Sequence, residues 1–330
     1  MVGLLADQCV ISFRRRKQMK RFLLRCLILG LIVAAIGGGV AIWAWRTEMA
    51  CLRRALRCPE AQIAAVGDSH VEVSLDPSVL PKFQNFGRSA SPLIVSLIKA
   101  RIICEENPQL KVLIIGVWPI RFFDFTLEDT GYYAKMCYPM YVISELYPTE
   151  HRAPVAPGFL QRFTDGIVLP AIRHTISPES DCFLAGSFVR RDTAFLETKW
   201  NDISLYQNQN QQPVDAQREG YGEKVLKQFL TEMHASSVKV VLVTAPVHPW
   251  TRMYSIPQED QRLFMDRMTR ISRQFQVPWF NFWEEASLQD HQWWADCDHL
   301  NGAGAVRYSQ LVYARLSVQF PELVQKIESQ

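Results

Sequence analysis

From Cys26 to Trp45 the chain reads CLILGLIVAAIGGGVAIWAW, with no charged position. About 20 apolar residues rising 1.5 Å each cross a hydrocarbon core of about 30 Å, so this stretch is expected to be a transmembrane helix. Trp43 and Trp45 stand at its end, where amphipathic rings favour the membrane interface. Residues 46–60 then turn polar and basic, as a short stalk or helix. From residue 61 the pattern changes again, to short buried runs alternating with helical spacing. Ile63–Val66 ends at Gly67 as a buried strand, and Lys82–Phe86 is a second. Pro92–Glu105 carries Ile94, Leu97, Ile98 and Ile102 on one helical face, and Val112–Val117 is a dense β-branched run suited to a central parallel strand.

The alternation stops at about residue 120, in a stretch rich in aromatics, Pro and Asp, and resumes after the polar run QNQNQQP. Residues 120–215 are therefore expected to be an insertion, a lid or a substrate platform. Beyond it come a helix over Glu223–His234, a strand over Val238–Thr244, a helix over Gln258–Phe275, a strand over Pro278–Phe282 and a closing helix over Gly302–Leu316. Strands alternating with helices imply an α/β fold with a parallel sheet covered by helices on both faces. In such sheets the site lies at the carboxyl ends of the strands.

Charge sets the orientation. The net charge of +3 would suggest acidic partners, but seven Lys/Arg and one acid, Asp7, fall within residues 1–25, which leaves the remainder slightly negative. No basic stripe follows residue 60, so a nucleic-acid partner is not expected. The basic flank before Cys26 exceeds that after Trp45 (Arg46, Arg53, Arg54, Arg57), which places the N-terminus in the cytoplasm and residues 61–320 outside the cytoplasmic membrane. AWAW puts Trp where a signal-peptidase site needs small residues, and Glu-Met-Ala before Cys51 lacks the apolar residue of a lipoprotein signal, so the anchor is expected to stay uncleaved. MKRFLLRC from Met19 would be an ordinary start for such an anchor. The eight cysteines form no CxxC pair and no zinc spacing, and no metal or cofactor is expected; Cys51–Cys58 and Cys137–Cys182 are candidate disulfides for an oxidising compartment.

Two short blocks carry chemistry. Gly67-Asp68-Ser69-His70 follows the first strand directly, where a Ser can project its hydroxyl from the sheet edge as a nucleophile; the same letters also make an ordinary helix cap. Asp296-Cys297-Asp298-His299 precedes the closing helix. A carboxylate three residues before a His can bind one ring nitrogen and leave the other for a hydroxyl, although the cluster also fits a metal site or a cap.

Gly-Asp-Ser at the first strand and Asp-x-x-His near the end together resemble the SGNH/GDSL hydrolases. The resemblance covers roughly residues 60–318, least of all the insertion. It implies a three-layer α/β/α, flavodoxin-like fold and a triad of Ser69, His299 and Asp296, with Asp298 as the competing acid. In that family a second-block Gly donates a backbone N–H to the oxyanion, and Gly87 of Asn85-Phe86-Gly87 matches its place. The third block, Gly-x-Asn-Asp, is here Gly116-Val117-Trp118-Pro119, so Trp118 replaces an Asn donor. Losing one such donor costs about 2.7–4 kcal/mol in well-studied enzymes. Either Asn85, Arg88 or His248 compensates, or hydrolysis is slow or absent.

That departure, with a single anchor, looks like membrane-tethered relatives that move acyl groups onto cell-wall polymers, such as the D-alanyl transfer protein of teichoic acids and the alginate O-acetylation proteins. The implied partners are an acylated glycan or cell-wall polymer and a multi-span membrane O-acyltransferase. The expected activity is an acyl-ester enzyme, esterase or O-acyltransferase; the alternative is an inactive SGNH-like envelope protein that binds glycan or the acyltransferase. His70 is a substrate contact or a cap, and His248 an edge residue or a structural one. Trp118, Phe122, Phe123, Phe125, Tyr132 and Tyr133 form a sugar-stacking platform or the core of the insertion, and Cys297 is packing.

Overall fold

The structure, a computed structural model, describes residues 2–89, 91–122, 186–191, 219–254 and 256–329. The first helix, α1 (Val2–Ala55), holds the apolar stretch, with Leu23, Leu27, Leu31 and Ile36 exposed along it. Its segment Phe22–Ala55 is long and apolar enough to cross a membrane, with a mean hydropathy of 2.4 in its most apolar window. The helix runs on past Trp45 without a break. Cys51, Leu52 and Leu56 are buried in the domain core, Arg53 pairs with Glu105 and Glu106, and Asn107 Nδ2 donates to the Leu56 carbonyl. Of the two readings of residues 46–60, stalk or helix, the structure has the helix through Ala55, and its last turn is part of the folded domain. Cys51 and Cys58 are both free thiols, which also corrects that candidate disulfide; Cys137 and Cys182 lie outside the described residues.

Among the described residues the domain is built on five parallel strands: β1 (Ile63–Val66), β2 (Phe83–Asn85), β3 (Val112–Gly116), β4 (Lys239–Thr244) and β5 (Trp279–Asn281), in the order β2-β1-β3-β4-β5. The period-2 alternation of strands splits the core into two faces. Ala64, Val66, Leu113, Ile115, Val240 and Leu242 point to one side, where α3 (Leu93–Glu106), α5 (Tyr221–Met233) and α7 (Gln258–Phe275) cover them. Ile63, Ala65, Val112, Ile114, Val241 and Val243 point to the other, against α2 (Ser69–Ser74), α8 (Gly302–Gln319) and α9 (Pro321–Glu328). Two short helices, α4 (Pro119–Phe122) and α6 (Pro249–Tyr254), follow β3 and β4 at the carboxyl edge.

The chain leaves β1 for β2 on one side and continues to β3 on the other, so the strand order reverses between the carboxyl ends of β1 and β3, the place where open α/β sheets bind ligands. Two glycines stand there. A Cβ on Gly67 would lie 2.3 Å from Val71 Cγ2, and one on Gly116 would lie 2.2 Å from the same atom. Their bare backbones let α2 start directly over the strand ends, which places Ser69 there.

Candidate active site

Ser69 is the first residue of α2, capped by Asp68, whose side chain accepts from the His70 N–H at 3.0 Å. The residue is half-buried, and neither its hydroxyl nor its backbone N–H makes a hydrogen bond among the described residues. A helix N-terminus with a hydroxyl and a free N–H is a suitable place for a nucleophile that must also help hold an oxyanion.

Asp296 and His299 sit in a tight turn closed by an antiparallel bridge between Trp294 and Leu300 and by the Ala295 N–H donating to the His299 carbonyl at 2.9 Å. Asp296 Oδ1 accepts the backbone N–H groups of Asp298 at 2.9 Å and His299 at 2.7 Å, and lies 2.9 Å from His299 Nδ1. The carboxylate therefore organises its own turn and fixes the imidazole with Nδ1 protonated, leaving Nε2 as the basic nitrogen. That Nε2 is buried and has no hydrogen-bond partner among the described residues; Asp298 Oδ2 lies 4.0 Å away. Burial opposes charge on Asp296, but the hydrogen bond and charge of His299 and the Asp298 N–H outweigh it and lower its pKa to about 2. Asp298 does not take the Nδ1 position: its Oδ1 lies 3.1 Å from His70 Nε2.

His70 ties the two blocks together. Its Nδ1 lies 3.0 Å from Asp68 Oδ1, its ring stacks on Trp118 at 3.8 Å and 20°, and the His299 ring lies 5.4 Å away at 22°. Burial alone would lower its pKa, but the charges and hydrogen bonds of Asp68 and Asp298 raise it to about 10. The residue beside Ser69 is thus a buried ring held between two carboxylates rather than a free substrate contact or a plain cap.

Arg191 completes the site from the other side. Its guanidinium donates to Asp296 Oδ2 at 2.9 Å, and its carbonyl accepts the Gly302 N–H at 2.8 Å. It belongs to residues 186–191, within the expected insertion, which lace over the site: the Val189 N–H donates to the Glu72 carbonyl at 3.1 Å, and Gly186, with φ +74°, lies against Gly87, where a Cβ would come 2.1 Å from the Gly87 carbonyl oxygen.

Several expected contributors have other work. The Gly87 N–H donates to Asn85 Oδ1 at 2.7 Å, so it does not face an oxyanion. Asn85 is fully buried and spends both amide hydrogens on the Val71 and Leu75 carbonyls, each at 2.8 Å; it braces α2 against β2. His248 is fully buried, accepts the Trp250 N–H at Nδ1 and meets His291 Nδ1 through Nε2 at 3.1 Å, a neutral cap of α6; burial, then His291, lowers its pKa to about 4. Trp118 is buried between His70 and Trp283, so it supports the site instead of offering a face to a sugar. Phe122 is buried against Phe264, while Phe123, Phe125, Tyr132 and Tyr133 lie outside the described residues. The Arg88 N–H donates to the Gly67 carbonyl at 3.0 Å. Cys297 is buried, and burial, then Asp298 and Asp296, push its thiol up to about 11, which suits packing and not nucleophilic attack.

No protein-family model matches the chain, and no curated protein matches it significantly.

Proposed function

We propose that this chain is a membrane-anchored Ser–His–Asp acyl-ester enzyme, an esterase or O-acyltransferase of the SGNH type, acting on acylated envelope polysaccharide outside the cytoplasmic membrane. The observation that carries the proposal is the Asp296–His299 pair, which leaves a buried Nε2 without a hydrogen-bond partner among the described residues, on the loop that His70 and Asp298 hold against the Ser69 turn. The strand order β2-β1-β3-β4-β5 supports the flavodoxin-like topology the proposal requires.

In this scheme Ser69 Oγ attacks the acyl carbonyl while His299 Nε2 takes its proton. Collapse of the tetrahedral intermediate returns that proton to the departing oxygen and leaves an acyl-Ser69 ester. Water or a sugar hydroxyl then attacks the ester, gives its proton to Nε2, and Ser69 recovers it on release. The Ser69 N–H is one oxyanion donor. With the Gly87 and Asn85 donors committed, slow turnover of simple esters follows. That same commitment favours the second reading, a binding protein that keeps the fold without turnover. The deciding experiment incubates the full chain in detergent with an activated acetyl ester and maps acetylated peptides by mass. The enzyme reading expects acetyl on Ser69 that discharges when an acceptor polysaccharide is added; no acetyl on Ser69 under any condition favours the binding protein.

A further inference from the structure

A row of alternating basic and acidic side chains runs through the site: Arg191, Asp296, His299, Asp298, His70, Asp68. Successive members lie 2.9, 2.9, 4.0, 3.1 and 3.0 Å apart. The acyl-transfer scheme uses only the Asp296–His299 half. His70 is neither base nor oxyanion donor, because both its ring nitrogens face carboxylate oxygens. Where both carboxylates are ionised they only accept hydrogen bonds, so meeting both contacts takes a proton on each nitrogen and a cationic ring. It is 6% exposed, and its face lies on the Trp118 indole, an arrangement that further favours a cation.

Asp298 links this cation to the base. One oxygen holds His70 Nε2, and the other stands 4.0 Å from His299 Nε2, the atom that must take and return the Ser69 proton. Among the described residues, the charged or titratable groups beside the pair include Asp68 on the turn of His70, Asp296 with its partner Arg191, and Tyr308 of α8, whose phenol shares a small cavity with Asp68 and His70. Burial pushes that phenol up, so it stays neutral.

We propose that His70 is a positioning residue, a fixed cation that anchors Asp298 beside His299 Nε2, so that the base works between two opposed charges. Without Asp298, the stacked His70 cation would disfavour proton uptake by His299. Without His70, His299 would face Asp296 and Asp298 with less compensation and would hold its proton too firmly to return it. The inference rests on the reading of His299 as the base, and its test does not depend on turnover.

The full chain in detergent, with histidine rings carbon-13 labelled, is followed by NMR across about pH 6 to about pH 9, the window of ordinary imidazole titration. The His70 ring signal should stay at the imidazolium position throughout. His70→Gln should move the transition of the His299 ring signal to higher pH by about one pH unit, and Asp298→Asn should move it to lower pH by about as much. Opposite displacements from two residues in direct contact are not what a merely structural role gives. A His70 signal that titrates near neutrality overturns the inference even if neither variant folds. Displacements of the same sign, or none, overturn it as well. Ser69 that fails to acylate alongside opposite displacements defeats the enzyme reading and upholds the two-charge device.

Discussion

Asp296 Oδ1 meets His299 twice, accepting its backbone N–H at 2.7 Å and standing 2.9 Å from its ring Nδ1. Asp298 stands on the other side, turned to His70. The two acids therefore have separable roles. Asp296→Asn should slow covalent labelling of Ser69 by a fluorophosphonate by about 10²-fold or more, because an amide favours the wrong tautomer. Asp298→Asn should slow it less. A larger loss in Asp298→Asn would reverse the assignment.

The pH dependence of stability carries the signature of two unlike histidines. His70 has its folded pKa raised to about 10, so its contribution is full below about pH 6.5 and is lost as pH climbs toward that value. His248 has its folded pKa lowered to about 4, so its contribution is full above about pH 6.5 and is lost as pH falls. Thermal unfolding followed by tryptophan fluorescence should show a maximum near pH 6.5, with an alkaline limb of up to about 1.4 kcal/mol per pH unit. His70→Gln should flatten the alkaline limb and leave the acid limb. An alkaline limb that survives in His70→Gln would refute this origin.

Much of this architecture was legible because local chemistry dictates it. The β-branched run at Val112 and the apolar run at Val238 are strands in the structure, and the helical stripes of Leu97 and Phe264 are α3 and α7. Asp296 and His299 were legible as a pair because they are three residues apart and share one turn. Contacts between distant segments left no periodic trace. Arg191 reaches Asp296 across 105 positions from a stretch without helical or strand pattern, and His70 reaches Asp298 across 228. One signal was present: the blocks hold Asp68, His70 and Asp298 beyond what a triad needs, and His70 pairs with both acids. Asn85 and Gly87 were misread because position after a strand does not reveal that one side chain occupies the other's N–H.

Asn85 should therefore behave as a brace. Asn85→Ala leaves the Leu75 carbonyl and the Gly87 N–H without their partner in a fully buried site, at about 1–3 kcal/mol for each group left unpaired, while the Val71 carbonyl keeps the Leu75 N–H at 3.3 Å. Denaturant melts should show a loss of about 2 kcal/mol or more. Full stability with abolished labelling would instead restore Asn85 as an oxyanion donor.

The proposed anchor carries a topological prediction. A reporter fused after Gln330 should be active only outside the cytoplasm, given the basic N-terminal flank and the apolar Phe22–Ala55 helix. Cytoplasmic reporter activity would contradict the orientation and remove envelope polysaccharide as a substrate.

The account turns on whether Ser69 is a nucleophile, and covalent labelling asks this with a single attack, free of the demands of turnover. The full chain in detergent is exposed to a fluorophosphonate probe, and the modified peptide is identified by mass. Wild-type protein should carry the label on Ser69, His299→Ala should label at least about 10²-fold more slowly for want of its base, and Ser69→Ala should not label. Wild-type and Ser69→Ala proteins that respond identically to the probe would contradict the account.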